Sequence, residues 1–304
     1  MNTFQGRTAV ITGAGSGFGL EVARIAAREG MSLVLADVQQ DALDRVAAEF
    51  IAQGAAVLAS RIDVSKAVEV EALGRATFER FGAPHLVFNN AGVGCGGLIW
   101  ESTLADWEWV LGVNLMGVAH GIRVFTPMML AAAKADAAYE GHIVNTASMA
   151  GLQNMPNMGV YNVSKHAVVS MSETLHHDLA LVTDQIAASV LCPYFIPTGI
   201  AQSQRNRPAD AAESSARATK SQRVADAMIS KAVSAGKVSA SDVAKLVFDA
   251  VAAKQFYIYS HPQALATVRT RLEDVVQARN PTDPFAARPE IGARLREALK
   301  ETLP

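Results

Sequence analysis

The stretch Thr12-Gly13-Ala14-Gly15-Ser16-Gly17-Phe18-Gly19 constrains this chain more than any other. It closes the β-branched apolar run Thr8–Thr12 and opens a helical pattern over 17–29. There Leu20, Ala23 and Ala27, with Val22, Ile25 and Ala26, recur at helical spacing until Gly30 stops them. A strand that passes through glycines straight into a helix gathers backbone N–H groups and the positive end of a helix dipole at one point. Glycine lets the backbone turn tightly there and approach a phosphate closely. The spacing is Gly13-x-x-x-Gly17-x-Gly19. Taken alone it is also compatible with an ordinary turn, and its place between strand and helix is what gives it meaning.

The rhythm that starts there repeats. Ser32–Asp37 reads as a strand, 40–53 as a helix, 56–62 as a strand, 66–81 as a helix and 86–90 as a strand. A long helical stretch follows Trp107. A strand over 143–148, with Ser148 at its end, precedes a helix over 160–181, and a strand over 188–191 runs into Cys192-Pro193. Apolar strands alternating with helices mean an α/β fold: a single doubly wound parallel sheet with helices on both faces. Right-handed crossovers place the C-terminal ends of the strands along one edge, where ligands bind.

Two regions leave this rhythm. Residues 199–237 are rich in Ala, Ser, Gln and Arg and poor in large apolar residues, and they read as a mobile helical excursion. The extension 280–304 carries Pro281, Pro284 and Pro289 and a charged helix-like segment, expected to pack on the surface or on a neighbouring subunit. Neither makes a second domain, so residues 1–304 are expected to form one.

Charge and composition exclude several classes. With 27 basic and 29 acidic residues the net charge is −2, and no basic stripe offers a footprint for nucleic acid or an anionic membrane. No run reaches the ~18 consecutive apolar residues of a membrane helix. No apolar signal core lies between Met1 and Arg7, and Cys95 and Cys192 make no disulfide framework. The expected compartment is the cytoplasm. Cys95 has no electropositive neighbour and is expected to line a pocket passively. His176 and His177 lack a Cys or carboxylate at ligand spacing, so no metal site is expected.

Chemistry enters at three places. Asp37 ends the second strand, 18 residues after Gly19. A carboxylate there either caps the following helix or accepts the hydroxyls of an adenine ribose, in which case it repels the 2′-phosphate of NADP. Neither Val38 nor Gln39 nor Ser16 supplies a cation, which favours NAD. Tyr161 and Lys165 stand four apart on one helix face, where an ammonium favours a phenolate. Ser148 stands at the sheet edge, able to hydrogen-bond a substrate oxygen. Met155, Met158, Trp100, Tyr194 and Phe195 fit an apolar substrate pocket and fit the core equally well.

Taken together the chain resembles the short-chain dehydrogenase/reductase family. The resemblance rests on Thr12-Gly13-x-x-x-Gly17-x-Gly19, Asp63-Val64, Asn89-Asn90-Ala91-Gly92, Asn114, Ser148 and Tyr161-x-x-x-Lys165, in order from Gly6 to about Thr198. It implies a Rossmann fold in which Tyr161 is the general acid/base and Lys165 holds the nicotinamide ribose while lowering the Tyr161 pKa. Ser148 would orient the substrate, and Asn114 would hold a water in a proton relay. Gly13, Ser16, Gly17, Phe18 and Gly19 would cradle the cofactor, with Asp37, Asp63, Val64 and Asn90 around its adenosine half. Ile196 and Thr198 would lie at its nicotinamide half, and 199–237 would be a helical substrate lid. One departure stands out: the family's Pro-Gly after the sixth strand is Pro193-Tyr194 here, so Tyr194 should narrow the pocket.

The expected function is hydride transfer between NAD(H), with NADP less favoured, and a small to medium, apolar secondary alcohol or its ketone. A homodimer or homotetramer is the expected assembly. The alternatives are an NADP-dependent carbonyl reductase and a non-catalytic dinucleotide-binding regulator. The intact Ser148, Tyr161 and Lys165 set speaks against the latter.

Overall fold

A computed structural model describes residues 1, 3–208 and 218–300. Residues 209–217 of the excursion and 301–304 of the C-terminal extension lie outside the described residues. Seven strands form one parallel sheet in the order β3-β2-β1-β4-β5-β6-β7. They are β1 Thr8–Thr12, β2 Ser32–Asp37, β3 Val57–Arg61, β4 Leu86–Asn89, β5 Gly141–Thr146, β6 Ile186–Cys192 and β7 Tyr257–Tyr259. The order reverses between β1 and β4, so the crevice at their C-terminal ends is the point where such sheets bind ligands.

The helices are α1 Gly17–Arg28, α2 Gln40–Ala52, α3 Ala67–Phe81, α4 Leu104–Leu111, α5 Gly117–Ala135 and α6 Gly159–Val182. After them come α7 Lys220–Ser234, α8 Ala240–Ala253, α9 Leu265–Val276 and α10 Pro289–Leu299. Layers on both faces explain why β1 is buried along its whole length. On one face α1 and α8 pack together, and Val22, Ile25 and Ala26 meet Val243, Val247 and Val251 over Ile11, Leu33 and Leu35. On the other, α5 sets Val124, Phe125 and Met129 against Val10, Val87 and Ile143. The continuous helical run Leu104–Ala135 is the one among the described residues long and apolar enough to cross a membrane. Its α5 part is a core helix.

Several boundaries differ from the sequence reading, each for a local reason. β5 ends at Thr146, so Ser148 does not finish a strand. It opens a short 3-10 turn over Met149–Gly151, where its Oγ accepts the Ala150 N–H at 3.1 Å. β7 carries no period in the sequence because it is three residues long, and it follows Lys254, whose left-handed φ of 51° ends α8. The C-terminal extension does pack on a surface, and that surface is the helix α7 of the excursion, against which α10 lies with Leu295 buried.

Candidate active site

Gly13 and Gly17 adopt φ of +65° and +55°, the left-handed region that favours glycine. A Cβ on Gly13 would press on Ala91 Cα and Asn90 Nδ2 at 3.0 Å, and one on Gly19 would collide with the Gly13 carbonyl. Asn90 fixes this loop by donating from Nδ2 to the carbonyl of Thr12 at 3.0 Å. In return the Thr12 hydroxyl accepts the backbone N–H groups of Asn90 (2.9 Å) and Ala91 (3.1 Å). Ser16 is the N-cap of α1, yet its side chain makes no cap bond and no acid stands in the first turn. The first amides of α1 therefore stay available to an anion.

Asp37 binds backbone amides with both of its oxygens. Its Oδ1 accepts the Gln39 N–H at 2.9 Å, closing the turn into α2, and its Oδ2 accepts the Gly15 N–H at 2.8 Å, tying the glycine loop to β2. It still lines the cavity. Asp63 spends Oδ1 on the backbone N–H and hydroxyl of Ser65, at 2.9 and 2.7 Å, so with Val64 it contributes a wall. Two cations approach this end that the sequence reading did not place there. Arg61 stands in register with Asp37 and donates to the Val38 carbonyl at 3.2 Å; Arg205 donates to Gln39 Oε1 at 3.4 Å. A glycine cradle that a Cβ would fill, uncapped helix amides and a carboxylate at the end of β2 fit a dinucleotide.

At the centre, α6 carries Tyr161 and Lys165 to the sheet edge beside Ser148. Lys165 is buried, and its Nζ donates to the Thr146 carbonyl at 2.9 Å. Burial lowers its pKa to about 8. Burial also raises Tyr161, and the group that opposes the rise is the Ser148 hydroxyl. The Lys165 ammonium donates to the Thr146 carbonyl and stands 5.7 Å from the phenol ring centre. The Ser148 hydroxyl also faces the Pro193 carbonyl at 3.4 Å.

Asn114 is placed differently from the expectation. It sits in a π-turn, Gly112–Met116, between α4 and α5, is fully buried and does not line the cavity. Its Oδ1 accepts the Val93 N–H at 2.8 Å, and its Nδ2 donates to the Val93 carbonyl at 3.0 Å and to Ser164 Oγ at 3.1 Å. Ser164 in turn donates to the Tyr161 carbonyl at 2.8 Å. The amide thus clamps the loop after β4 to the helix that bears Tyr161 and is not free to hold a water. Gly19 likewise lies beneath the loop rather than on the cavity wall.

The cavity, of about 420 Å³, joins these parts. Gly13, Ser16, Gly17, Phe18, Asp37 and Asn90 line one end. Ser148, Tyr161 and Lys165 line the middle with Ile196 and Thr198. Thr198 stands 3.4 Å from where a Gly17 side chain would begin. Met155, Met158, Tyr194 and Phe195 line the cavity, whereas Trp100 is exposed and does not; the Tyr194 ring meets Phe195 edge-on and His261 at a tilt, with ring centres 4.6 and 5.7 Å apart. Burial raises the Cys95 thiol to about 12, in keeping with a passive wall. Gln153, Trp109, Ile229 and Val233 also line it and were not legible; the last two arrive on α7 from far along the chain.

The described part of the excursion is fastened by polar contacts where its apolar residues are sparse. Ser203 Oγ accepts the Gly94 N–H at 2.8 Å, and Ser221 Oγ accepts the Leu98 N–H at 3.0 Å and donates to Glu101 at 2.6 Å. Arg207 pairs with Asp106 at 2.8 Å with both side chains at most 4% exposed, and its guanidinium lies 5.1 Å from the Trp109 ring centre. Burial pushes Asp106 up, but the Thr103 amide and Arg207 outweigh it and hold the carboxyl below its ordinary range. Removing one partner of such a pair strands a buried charge, which costs about 3–5 kcal/mol.

Comparison with known proteins agrees with this geometry. The family model for short chain dehydrogenases matches residues 7–209. The chain is 33% identical over 282 residues to a "CLA biosynthesis dehydrogenase/reductase" of Lactiplantibacillus plantarum, covering 91% of this chain and 95% of that one. It is 33% identical to a 1-deoxy-11-beta-hydroxypentalenate dehydrogenase of Streptomyces exfoliatus, covering 89% of each. Among solved structures, a short chain dehydrogenase/reductase from Burkholderia phymatum in complex with NAD is 53% identical. It superposes with a TM-score of 0.89 over 94% of this chain and 100% of that one.

Proposed function

The chain belongs to the short-chain dehydrogenase/reductase family, oxidoreductases acting on CH–OH groups, and on that premise we propose the partners of its hydride transfer. They are NAD(H) and a small to medium, largely apolar secondary alcohol or the corresponding ketone. The observation that carries the reading is the convergence of Ser148, Tyr161 and Lys165 in one cavity with the glycine loop and Asp37.

A bound nicotinamide supplies the hydride acceptor or donor. In oxidation the Tyr161 oxygen takes the carbinol proton as the C–H hydride departs. In reduction Tyr161 returns that proton to the oxygen. Ser148 donates a hydrogen bond to the same oxygen and stabilises the charge that develops there. Lys165, held by the Thr146 carbonyl, is placed to hold a ribose hydroxyl. Asn114 acts as a positioning residue, clamping the loop after β4 to the helix that bears Tyr161. The described parts of the excursion, 199–208 and 218–237, act as a cover over the cavity, excluding water during transfer. A screen of varied alcohols and ketones with NAD(H), read at the nicotinamide absorbance, tests the reading. Binding of nicotinamide with no turnover of any alcohol or ketone would instead favour a regulator.

Cofactor choice follows from Asp37, whose carboxylate meets a ribose hydroxyl favourably and a 2′-phosphate unfavourably. NAD is expected to give the higher kcat/KM, and Asp37→Ala combined with Val38→Arg is expected to shift the preference toward NADP. Relative kcat/KM with the two cofactors checks this, and a wild-type preference for NADP would remove the assignment.

The two directions are expected to respond oppositely to pH. Tyr161 accepts a proton in oxidation, so it acts deprotonated, and burial holds its pKa high. Alcohol oxidation therefore rises with pH and ketone reduction falls. Lys165, lowered to about 8, loses its charge above that pH, which flattens the alkaline rise. Profiles of kcat/KM in both directions between about pH 6 and about pH 10 read this out. An oxidation rate that declines steadily across that range would contradict it.

A further inference from the structure

Gln153 is 5% exposed, lies five positions beyond Ser148 and lines the cavity at its substrate end. Its backbone N–H is used, donating to the Met149 carbonyl at 3.0 Å, which fixes the residue at the close of the turn that Ser148 opens. Its side-chain amide makes no hydrogen bond among the described residues. Nor is the amide sealed in: neither of its polar atoms is among the buried atoms that lack a partner, so what surface it keeps opens on the cavity. The same cavity is also lined by the apolar side chains of Trp109, Met149, Met155, Met158, Phe195 and Val233. A carboxamide among such side chains is costly unless it meets a partner. Other buried amides have at least one bond each: Asn114 is held to Val93, Asn162 Nδ2 donates to the Met155 carbonyl at 2.8 Å and Asn157 Nδ2 to the Ser221 carbonyl at 3.1 Å, although Oδ1 of Asn157 and of Asn162 has no partner.

We propose that Gln153 is a specificity-determining residue that recognises a second oxygen on the substrate, beyond the one that reacts. The substrate class is then an otherwise apolar ketone or alcohol bearing a further keto or hydroxyl group: a diketone, a hydroxyketone or the diol derived from it. This rests on the reading of the site as an alcohol oxidoreductase and deepens it. Ser148 and Tyr161 serve the reacting oxygen, and Gln153 serves the other. An amide both donates and accepts, so it takes either a carbonyl or a hydroxyl. A site that holds a polar group for the substrate rejects the analogue without it, because the amide is then left buried and unpaired.

The test uses a matched series: an apolar ketone, and the same skeleton with a second oxygen on the first, second or third carbon from the carbonyl. Turnover with NADH gives kcat/KM, and calorimetric titration of each ketone into the Tyr161→Phe enzyme with NAD gives affinity with chemistry suppressed. With Gln153 in place, one oxygenated member is expected to be preferred by about tenfold to a hundredfold in both measurements. Gln153→Met should erase that preference by raising kcat/KM for the plain ketone and lowering it for the oxygenated member, with NAD affinity unchanged. Gln153→Glu, which favours donors, should retain a hydroxyl-bearing member over a keto-bearing one. A wild type indifferent to the second oxygen, or a preference that survives Gln153→Met, overturns the proposal. Selective binding of the oxygenated member with no turnover of any member would keep the Gln153 subsite and overturn the oxidoreductase reading. Neither binding nor turnover of any member would overturn both.

Discussion

Tyr161→Phe is expected to lower turnover by about 10²–10⁴-fold in both directions, about 3–5 kcal/mol of barrier, while NADH still binds. The substitution removes one oxygen and leaves the ring that Lys165 approaches at 5.7 Å. Ser148 stays in place, because its hydroxyl accepts from the Ala150 amide and faces the Pro193 carbonyl. Lys165 stays because it donates to Thr146. The variant thus loses its proton acceptor and donor and keeps its scaffold. Steady-state kinetics with fluorescence titration of NADH separates the two effects. A near-normal rate would assign the proton to another group, and a parallel loss of NADH binding would mean that the phenol mainly shapes the pocket.

Gly19→Ala is expected to weaken NADH binding by about tenfold to a hundredfold and to lower kcat/KM in step, through geometry rather than chemistry. An added methyl would collide with the Gly13 carbonyl and come within 3.0 Å of Asn90 Nδ2. Both atoms are backbone or held by backbone, since Asn90 is fixed to Thr12. The glycine loop must then move off the N-terminus of α1, and the amides lose their aim. Ala is otherwise the better helix residue, so helix propensity opposes the effect and cannot explain a loss. The comparison variant is Gly54→Ala, at a φ of +82° with open space around it, which strains the backbone far from the cofactor end. NADH titration and thermal melts of both variants should show weaker binding for Gly19→Ala alone. Equal NADH affinity in Gly19→Ala and wild type would show that the loop does not need that close contact.

Much of this was written in the order of the residues. The run Thr8–Thr12, the spacing of Val22, Ile25 and Ala26 and the punctuation by Gly30 define β1 and α1 by local periodicity, and neighbours in space add nothing to that. Tyr161 and Lys165 face one way because a helix turn is four residues, wherever the helix goes. Short elements were harder: β7 has too few residues for a period to show.

What a side chain does with its polar atoms was another matter, because its partners come from distant parts of the chain. Asp37 reads as a cap or as a ribose ligand; only the fold brings the Gly15 amide to its second oxygen. Asn114 reads as a relay residue, and the crossing of the π-turn under the β4 loop spends its amide on Val93 and Ser164. The excursion 199–237 reads as loosely held because it lacks large apolar residues, yet Arg207 finds Asp106 and Ser221 finds Glu101 on the far side of the cavity. Gln153 carries no signal at all in the sequence, being one polar residue in a turn. Local periodicity, set by bond geometry, determined most strands and helices and the shared face of Tyr161 and Lys165. Burial and hydrogen-bond pairing are long-range properties of the chain path, so only the tertiary structure decided which polar groups are satisfied and which are left facing the cavity.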